Sequence, residues 1–260
     1  MQNLKAKLLL GLLTAVTFIV PQLALAQDPP ALAEMWMMVP KAGHAQELNE
    51  ALKKHMDFRS EQGDPWRWDA YTPLLGEDLA RVGVRTCCHN WADIDAYGEW
   101  SRSKPAVGDH FNEHVAPHVE KYAHYYEEID WAASHWNDKG SEYKYFAVTE
   151  FVLKPGYAGE FHAAREKMSQ IAINQGWAND ERSWIWATTI GGKPTVSIIV
   201  PHENFASMAD SGEGFVDFLA KQMGSAEAAA DLMSQFSGAI WSSDYQVWVH
   251  RDDLSMKSGD

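Results

Sequence analysis

The chain has 260 residues, of which 36 are acidic and 22 are basic, and its formal net charge is −14. Nucleic acid and anionic lipid bind proteins mainly through Lys and Arg, so this charge excludes nucleic acid and the membrane surface as main partners. A hydrophobic content of 46% with 12 Trp residues excludes a disordered chain and predicts well-packed cores.

The first 26 residues have the pattern of a secretory signal peptide. Lys5 and Lys7 precede an apolar run over 8–20, and Ala24-Leu25-Ala26 offers the small-x-small pattern that signal peptidase cleaves. The alternative is a membrane anchor, but the run is shorter than the roughly 20 residues of a spanning helix. We therefore predict cleavage before Gln27, a periplasmic or secreted location and no membrane association after cleavage. The remaining chain has 20 basic and 36 acidic residues, a formal charge of −16.

The chain has two cysteines, Cys87 and Cys88, which are neighbours in the sequence. Adjacent residues of a strand point to opposite faces, and a disulfide between them closes an eight-membered ring. We interpret them as two small buried hydrophobic side chains. The sequence therefore predicts an exported protein without a disulfide framework.

The same order of elements occurs twice, at an offset of 113 to 116 residues up to the final strand of each copy. Alternating apolar residues predict the strands, and apolar residues at helical spacing predict the helices. The predicted strands are 34–39, 68–72, 79–88 and 125–131 in the first copy and 147–154, 184–188, 195–200 and 245–250 in the second, with first helices over 44–62 and 159–175. This β-α-β-β-α-β order predicts an α+β, ferredoxin-like unit in each copy.

We expect a signal peptide over 1–26, a first unit over 31–137 and a second unit over 142–252. The linker over 137–141 is short and polar, so the two units should pack together. A lone ferredoxin-like unit leaves one apolar sheet face bare, and we predict that the two units cover these faces by packing sheet to sheet.

The segment over 90–103 resembles the strand-to-helix segment of dimeric α+β barrel proteins. It begins Asn90-Trp91-Ala92-Asp93 and continues with Ala96-Tyr97-Gly98-Glu99-Trp100-Ser101. The chain is similar here to the antibiotic-biosynthesis-monooxygenase (ABM) and NIPSNAP-like groups. The resemblance implies a dimeric α+β barrel fold, duplicated within one chain. That superfamily hosts oxygenases, isomerases and haem enzymes, so the resemblance implies a fold more strongly than a reaction.

The resemblance also implies candidate site residues. Haem-degrading members of the ABM-type group pair a Trp and a His ten residues apart, as Trp100 and His110 are here, but the Asn of their first strand is missing. Chlorite-dismutase-like proteins duplicate this fold and bind haem through a His of the second copy. The histidines available for that role are His162, His202 and His250.

Eight of the 11 histidines lie in the first copy, and His110, His114 and His118 follow one another at intervals of four. On a helix this spacing places them along one face, where two imidazoles can bind a divalent metal or haem. We predict His110, His114 and His118 as metal ligands, with His110 also a catalytic candidate and His114 a cofactor ligand. The alternative is that these histidines lie on the helix surface, and Pro117 is expected to kink or end the helix.

His89 ends a predicted strand, as His202 does in the second copy, which suggests either a general base or a structural role. Trp100 and His89 complete the catalytic candidates with His110. Arg59 is the predicted cofactor-binding cation, and Arg81 and Arg85 are further candidates for an anionic group of a ligand. We expect this site between the first sheet and the helical region over 100–122.

The sequence is compatible with two functions. The first is an exported protein that binds a small, partly aromatic molecule or haem. If this protein is an enzyme, its activity is expected to be oxygenase-like or isomerase-like. The second is a non-catalytic association or structural domain, in keeping with a homo-oligomer.

Overall fold

The computed structural model describes residues 29–137, 143–209 and 212–257. The predicted signal peptide and most of the predicted linker lie outside the described residues. Within the described ranges, every helix is too short or too polar to span a membrane.

The first half contains four strands and three helices. Their bounds are β1 Leu32–Pro40, α1 Ala45–Glu61, β2 Asp69–Leu75, β3 Val82–His89, α2 Trp91–Ser103, α3 Pro105–His110 and β4 Val119–Ile129. A π-helical turn over Phe111–Val115 and a 3-10 turn over Ala116–His118 connect α3 to β4.

The second half has the same number of strands and helices. Their bounds are β5 Tyr145–Leu153, α4 Ala158–Asn174, β6 Ile185–Ile190, β7 Val196–His202, α5 Phe215–Met223, α6 Ala226–Gly238 and β8 Ile240–His250. Both final strands begin at least five residues earlier than predicted, and β4 starts within the region predicted to be helical up to 122.

The eight strands form one closed antiparallel barrel in the order β1-β3-β2-β8-β5-β7-β6-β4. Within each half, the final strand pairs with the first strand, which pairs in turn with the third. The halves join where β2 pairs with β8, at Tyr71 opposite His250, and where β4 pairs with β6, at Ile129 opposite Ala187. The predicted sheet-to-sheet packing of the two units needs correction, because their edge strands hydrogen-bond to form one closed sheet around a lumen.

The helices lie outside the barrel and cover it through apolar faces. In α1, Leu48, Leu52 and Met56 recur at intervals of four and pack with Met38 of β1. In the second half, Phe161 of α4 packs with Trp186 and other aromatic residues into a larger core, which α5 and α6 extend. Each half thus has its own core outside the barrel, and the lumen is a third, separate environment.

Local sequence explains where several helices start and stop. The side chain of Asp93 accepts a hydrogen bond from the Asn90 backbone N–H (2.7 Å), and Asn90 completes a capping box at the start of α2. Ser225 caps α6 by accepting a hydrogen bond from the Ala228 N–H. Gly224 ends α5 at a φ of +66°, a left-handed conformation that favours glycine.

Candidate functional site

The barrel contains a cavity of about 490 Å³ that is partly open to solvent and to which both halves contribute. Side chains of alternate strand residues reach it, as the two-residue period of a strand requires. Its wall is mainly aromatic, aliphatic and thioether, with a small number of charged groups. Its apolar lining residues are Met35, Met37, Trp131, Trp136, Phe146, Val148, Ile185, Ile199 and Trp248, and Tyr71 and Tyr125 add phenol groups.

Arg85 of β3 and Glu127 of β4 form an ion pair inside the lumen, with 3.6 Å between Arg85 Nε and Glu127 Oε2. Both side chains are largely buried. A paired guanidinium in an apolar cavity keeps hydrogen-bond donors available for a polar group of a ligand. Arg85 was among the cations that the sequence suggested for this purpose, and the structure places it in a cavity.

A second polar cluster lies where β2 meets β8. Asp69 is 3.4 Å from His250 Nε2, and Arg67 donates to Asp69 at 3.1 Å. Burial alone would raise the pKa of Asp69, but the hydrogen bond from His250 and the charge of Arg67 lower it overall. His250 Nδ1 also lies 3.2 Å from Asp252, so a carboxylate stands beside each ring nitrogen.

Burial in the lumen disfavours negative charge on its two phenols and on Glu150. Burial raises the pKa of Tyr71 to about 12, and burial raises the pKa of Tyr125 as well. Burial also raises the pKa of Glu150, with the charges of Glu127 and Asp244 acting in the same direction. Both phenols are therefore protonated hydrogen-bond donors at neutral pH, suited to a neutral or weakly polar ligand.

The sequence interpretation of the cysteines is wrong. Cys87 and Cys88 form a disulfide with each other, and both residues line the lumen. Cys88 is exposed and Cys87 packs against the apolar cluster of Ile129 and Ile185. The prediction assumed that the side chains of Cys87 and Cys88 point to opposite faces of the strand, and the disulfide between them shows that they do not.

His110, His114 and His118 do not form the predicted stripe. The helix ends at His110, and the π and 3-10 turns that follow rotate the later residues away from it. His110 stacks on Phe58 and lies near His114, with 4.4 Å between the two imidazole centroids, whereas His118 pairs with His44 instead. Among the described residues, no group of three or more His, Cys, Asp or Glu side chains is arranged to hold a metal ion.

His110 has a partner that the sequence did not suggest. Its Nδ1 lies 3.2 Å from Nδ1 of His55 on α1. His55 is only 2% exposed, and its Nε2 has no hydrogen-bond partner in the structure. Burial lowers the pKa of His55 to about 3, and the charge of Arg59 adds to the shift. These histidines pack between helices outside the barrel, and none of them lines the lumen.

Arg59, His89 and Trp100 belong to one aromatic and polar network on the outside of the first half. Trp66 stacks between His89 and Tyr97, with ring centroids 3.8 Å from each, and Trp100 stacks on Tyr97 at 5.2 Å. Their catalytic and cofactor roles stay predictions, and the structure places all three outside the lumen.

Arg59 is occupied within that network. It forms an ion pair with the fully buried carboxylate of Asp64 at 2.7 Å, and it donates to the hydroxyl of Tyr97. Its guanidinium also lies over the Trp68 ring, 5.1 Å from the centroid. These contacts are those of a structural residue.

Among the described residues of the second half, aromatic side chains fill the space between the sheet and the helices. Phe161 is fully buried there, and Trp186 and Phe236 pack around it. Of the candidate axial ligands, His202 lies 3.1 Å from the Ser207 carbonyl oxygen, and His250 reaches the lumen between two carboxylates. His162, the third candidate, lies in the wall of a separate pocket with Asp130 and Arg165. We derive no chemistry through haem.

Sequence reasoning missed most lumen residues, although a signal for them was present. Asp69 and Tyr71 share one face of β2, and Tyr125 and Glu127 share one face of β4, because each pair is separated by two positions. The sequence predicted a pocket between the sheet and the helices, whereas this cavity lies at the inner face of the closed sheet.

This architecture defines the class of protein as an antiparallel α+β barrel. No protein-family model and no curated protein matches the sequence. The barrel is similar in structure to a proposed monooxygenase from Lactobacillus acidophilus NCFM, with a TM-score of 0.53 and 10% identity over 89% of this chain and 98% of that chain. A proposed monooxygenase from Fusobacterium nucleatum subsp. nucleatum gives a TM-score of 0.52 and 10% identity over 86% of this chain and 94% of that chain.

A third solved structure is that of a mutant chlorite dismutase from Candidatus Nitrospira defluvii. Its TM-score is 0.50 at 6% identity, over 85% of this chain and 92% of that chain. At these identities the likeness concerns the fold. The predicted α+β barrel fold is thus confirmed, and the relation to the dimeric α+β barrel superfamily, with its ABM and NIPSNAP groups, stays a prediction.

Proposed function

We propose that the protein binds a small, partly aromatic molecule in the lumen of its barrel. The observation that supports this most is the cavity of about 490 Å³, in which apolar and aromatic side chains surround two separate polar clusters. Ligand pockets commonly combine an apolar wall with a small number of placed polar groups. A flat ligand would contact Met35 and Trp248, and a hydroxyl or carbonyl group would meet Arg85 or Tyr71.

Titration calorimetry with 2-naphthol tests this proposal. The probe is small and flat, and its one hydroxyl suits a cavity that disfavours anions. Replacing Val148 by Trp adds a ring inside the lumen and is expected to weaken binding by at least about tenfold, or about 1.4 kcal/mol. Val216 lies exposed on α5, so Val216→Trp is the matched control and should bind as the wild type does.

Two results would contradict the proposal: no binding by the wild-type protein, or equal binding by Val148→Trp and wild type. If Val148→Trp fails to fold by circular dichroism, Gly83→Leu replaces it. A side chain at Gly83 enters the lumen beside the sulfur atoms of Met37 and Met35, which lie 3.0 and 3.6 Å from the added Cβ.

A second candidate function, association with another copy of this chain, is favoured by exposed aromatic residues on the outer barrel surface. Trp241 is 72% exposed and Tyr245 57% exposed on β8, and Trp36 and Trp91 are exposed on the first half. Contiguous exposed apolar surface is typical of interaction sites. Sedimentation velocity tests this: a self-associating protein should become monomeric in Trp241→Ser, and a monomeric wild type would exclude this function.

We also propose that the protein is exported and matures at Gln27. The signal-peptide pattern of the first 26 residues supports this, and so does the Cys87–Cys88 disulfide, because disulfides persist mainly in oxidising compartments. Mass spectrometry of protein from the periplasm or medium should give an N-terminus at Gln27. An N-terminus at Met1 would contradict export with cleavage.

We further propose that the chain consists of two ferredoxin-like units in tandem. The repeated element order and the equivalent strand order of the halves support it. Superposing residues 33–136 on 144–250 should overlay four strands and two helices in the same order, and a different order would contradict duplication.

A further inference from the structure

The disulfide between Cys87 and Cys88 lies in the wall of the lumen. Both residues line the cavity at the end of β3, in the same wall as Trp131 and Trp136. Cys88 is exposed, whereas Cys87 is partly covered by the apolar cluster around Ile129. Cys88 is therefore the more accessible residue of the pair.

This disulfide has no evident stabilising role. A disulfide stabilises a fold mainly by closing a loop in the unfolded chain, and the effect grows with loop length. Cys87 and Cys88 are consecutive residues, so their bond closes no loop between separate parts of the chain. Exposed disulfides are in general the labile and reactive ones.

The charges of the cavity indicate which solute is favoured. Four carboxyl groups line it, from Asp69, Glu127, Glu150 and Asp252, against the two guanidinium groups of Arg67 and Arg85 and the imidazole of His250. The whole chain is also strongly acidic. A field of this sign attracts a cationic solute and repels an anionic one.

We propose that Cys87–Cys88 is a thiol-exchange site that takes a small aminothiol from the lumen. The thiolate of the aminothiol attacks Sγ of Cys88, the more exposed residue of the pair, the Cys87–Cys88 bond breaks, and Cys87 leaves as a thiolate that takes up a proton. A second aminothiol attacks the sulfur of the bound one, which releases a disulfide of two aminothiols and leaves Cys88 as a thiol. Two thiols are oxidised, and the protein disulfide is reduced by two electrons.

The proposal goes beyond the binding of an aromatic molecule, because it requires only that small solutes enter the cavity. Its test is the reaction of the folded full chain with cysteamine, followed by acid quenching, intact mass measurement and peptide mapping. The expected product is a cysteamine adduct on Cys88. An anionic thiol, 2-mercaptoethanesulfonate, is expected to react more slowly by on the order of tenfold after normalisation to its thiolate concentration.

Two variants separate entry through the lumen from reaction at the outside. Val148→Trp should lower the cysteamine rate by on the order of tenfold if the thiol passes through the cavity, and Val216→Trp should leave it unchanged. Gly83→Leu serves as a second filled variant where Val148→Trp does not fold.

Each alternative result overturns part of the proposal. An adduct that forms only in urea means that the disulfide does not exchange in the folded protein. An unchanged rate in both filled variants means that the thiol arrives from outside the lumen. A faster reaction with the sulfonate excludes an aminothiol as the favoured class.

Discussion

At the residue scale, His55 links the packing of α1 to the pH dependence of stability. Burial lowers the pKa of His55 from its ordinary value of 6.5 to about 3. Between these values the unfolded chain binds a proton that the folded chain does not bind, so the free energy of unfolding falls as the pH falls below 6.5. The slope for one group is at most about 1.4 kcal/mol per pH unit.

We therefore expect His55→Met to lose part of its acid sensitivity. Urea unfolding at pH 7 and pH 5 should show a smaller decrease in the free energy of unfolding for this variant than for wild type. His135→Gln is the control, because His135 lies far from this cluster, against Asn179 and Trp184. The same decrease in His55→Met as in wild type would mean that His55 is not the group responsible.

A second residue-scale prediction concerns Arg59, which the sequence suggested as a ligand-binding cation. Arg59→Met leaves the buried carboxylate of Asp64 without its ionic partner, and breaking a buried pair in this way costs about 3–5 kcal/mol. The melting temperature should fall, while 2-naphthol binding by the folded fraction should stay unchanged. Asp64→Asn added to Arg59→Met should recover part of the stability. If Arg59→Met lost 2-naphthol binding with an unchanged melting temperature, the result would support the predicted role of Arg59 in ligand binding.

At the element scale, the turn between α5 and α6 depends on glycine. Gly224 adopts a φ of +66°, and an added Cβ would meet no atom within 4 Å, so Gly224→Ala costs only backbone strain, about 1 kcal/mol. Gly159 lies in the first turn of α4 with equally open surroundings and without a positive φ. Gly159→Ala should therefore be neutral or stabilising by up to about 1 kcal/mol. Urea unfolding of both variants measures the difference, and equal effects would contradict this explanation.

The sequence predicted elements better than it predicted the site. Strand and helix periodicity identified all eight strands and both long first helices, because these patterns are local. The end of α3 at His110 was not predicted, since a π turn leaves no periodic signal, and His118 was consequently assigned to the same face. The partners His55 and His110 are 55 residues apart, so their contact depends on tertiary packing.

At the scale of the whole molecule, closure of the barrel creates the lumen that we propose as the binding site. The pairing of β2 with β8 brings Asp69 next to His250, although 181 positions separate them in the chain. No local pattern contains this pairing. Arg85 was recognisable from the sequence as a scarce cation, but its position in a lumen follows only from the closed sheet.

The central claim, that the lumen is the binding site, is tested most directly by a crystal structure of the protein with 2-naphthol. We predict electron density for the naphthalene ring inside the barrel, in contact with Met35 and Trp248 and with its hydroxyl at Arg85 or Tyr71. Density for the ring beside His110 or Trp100, outside the barrel, with an unoccupied lumen would contradict the account.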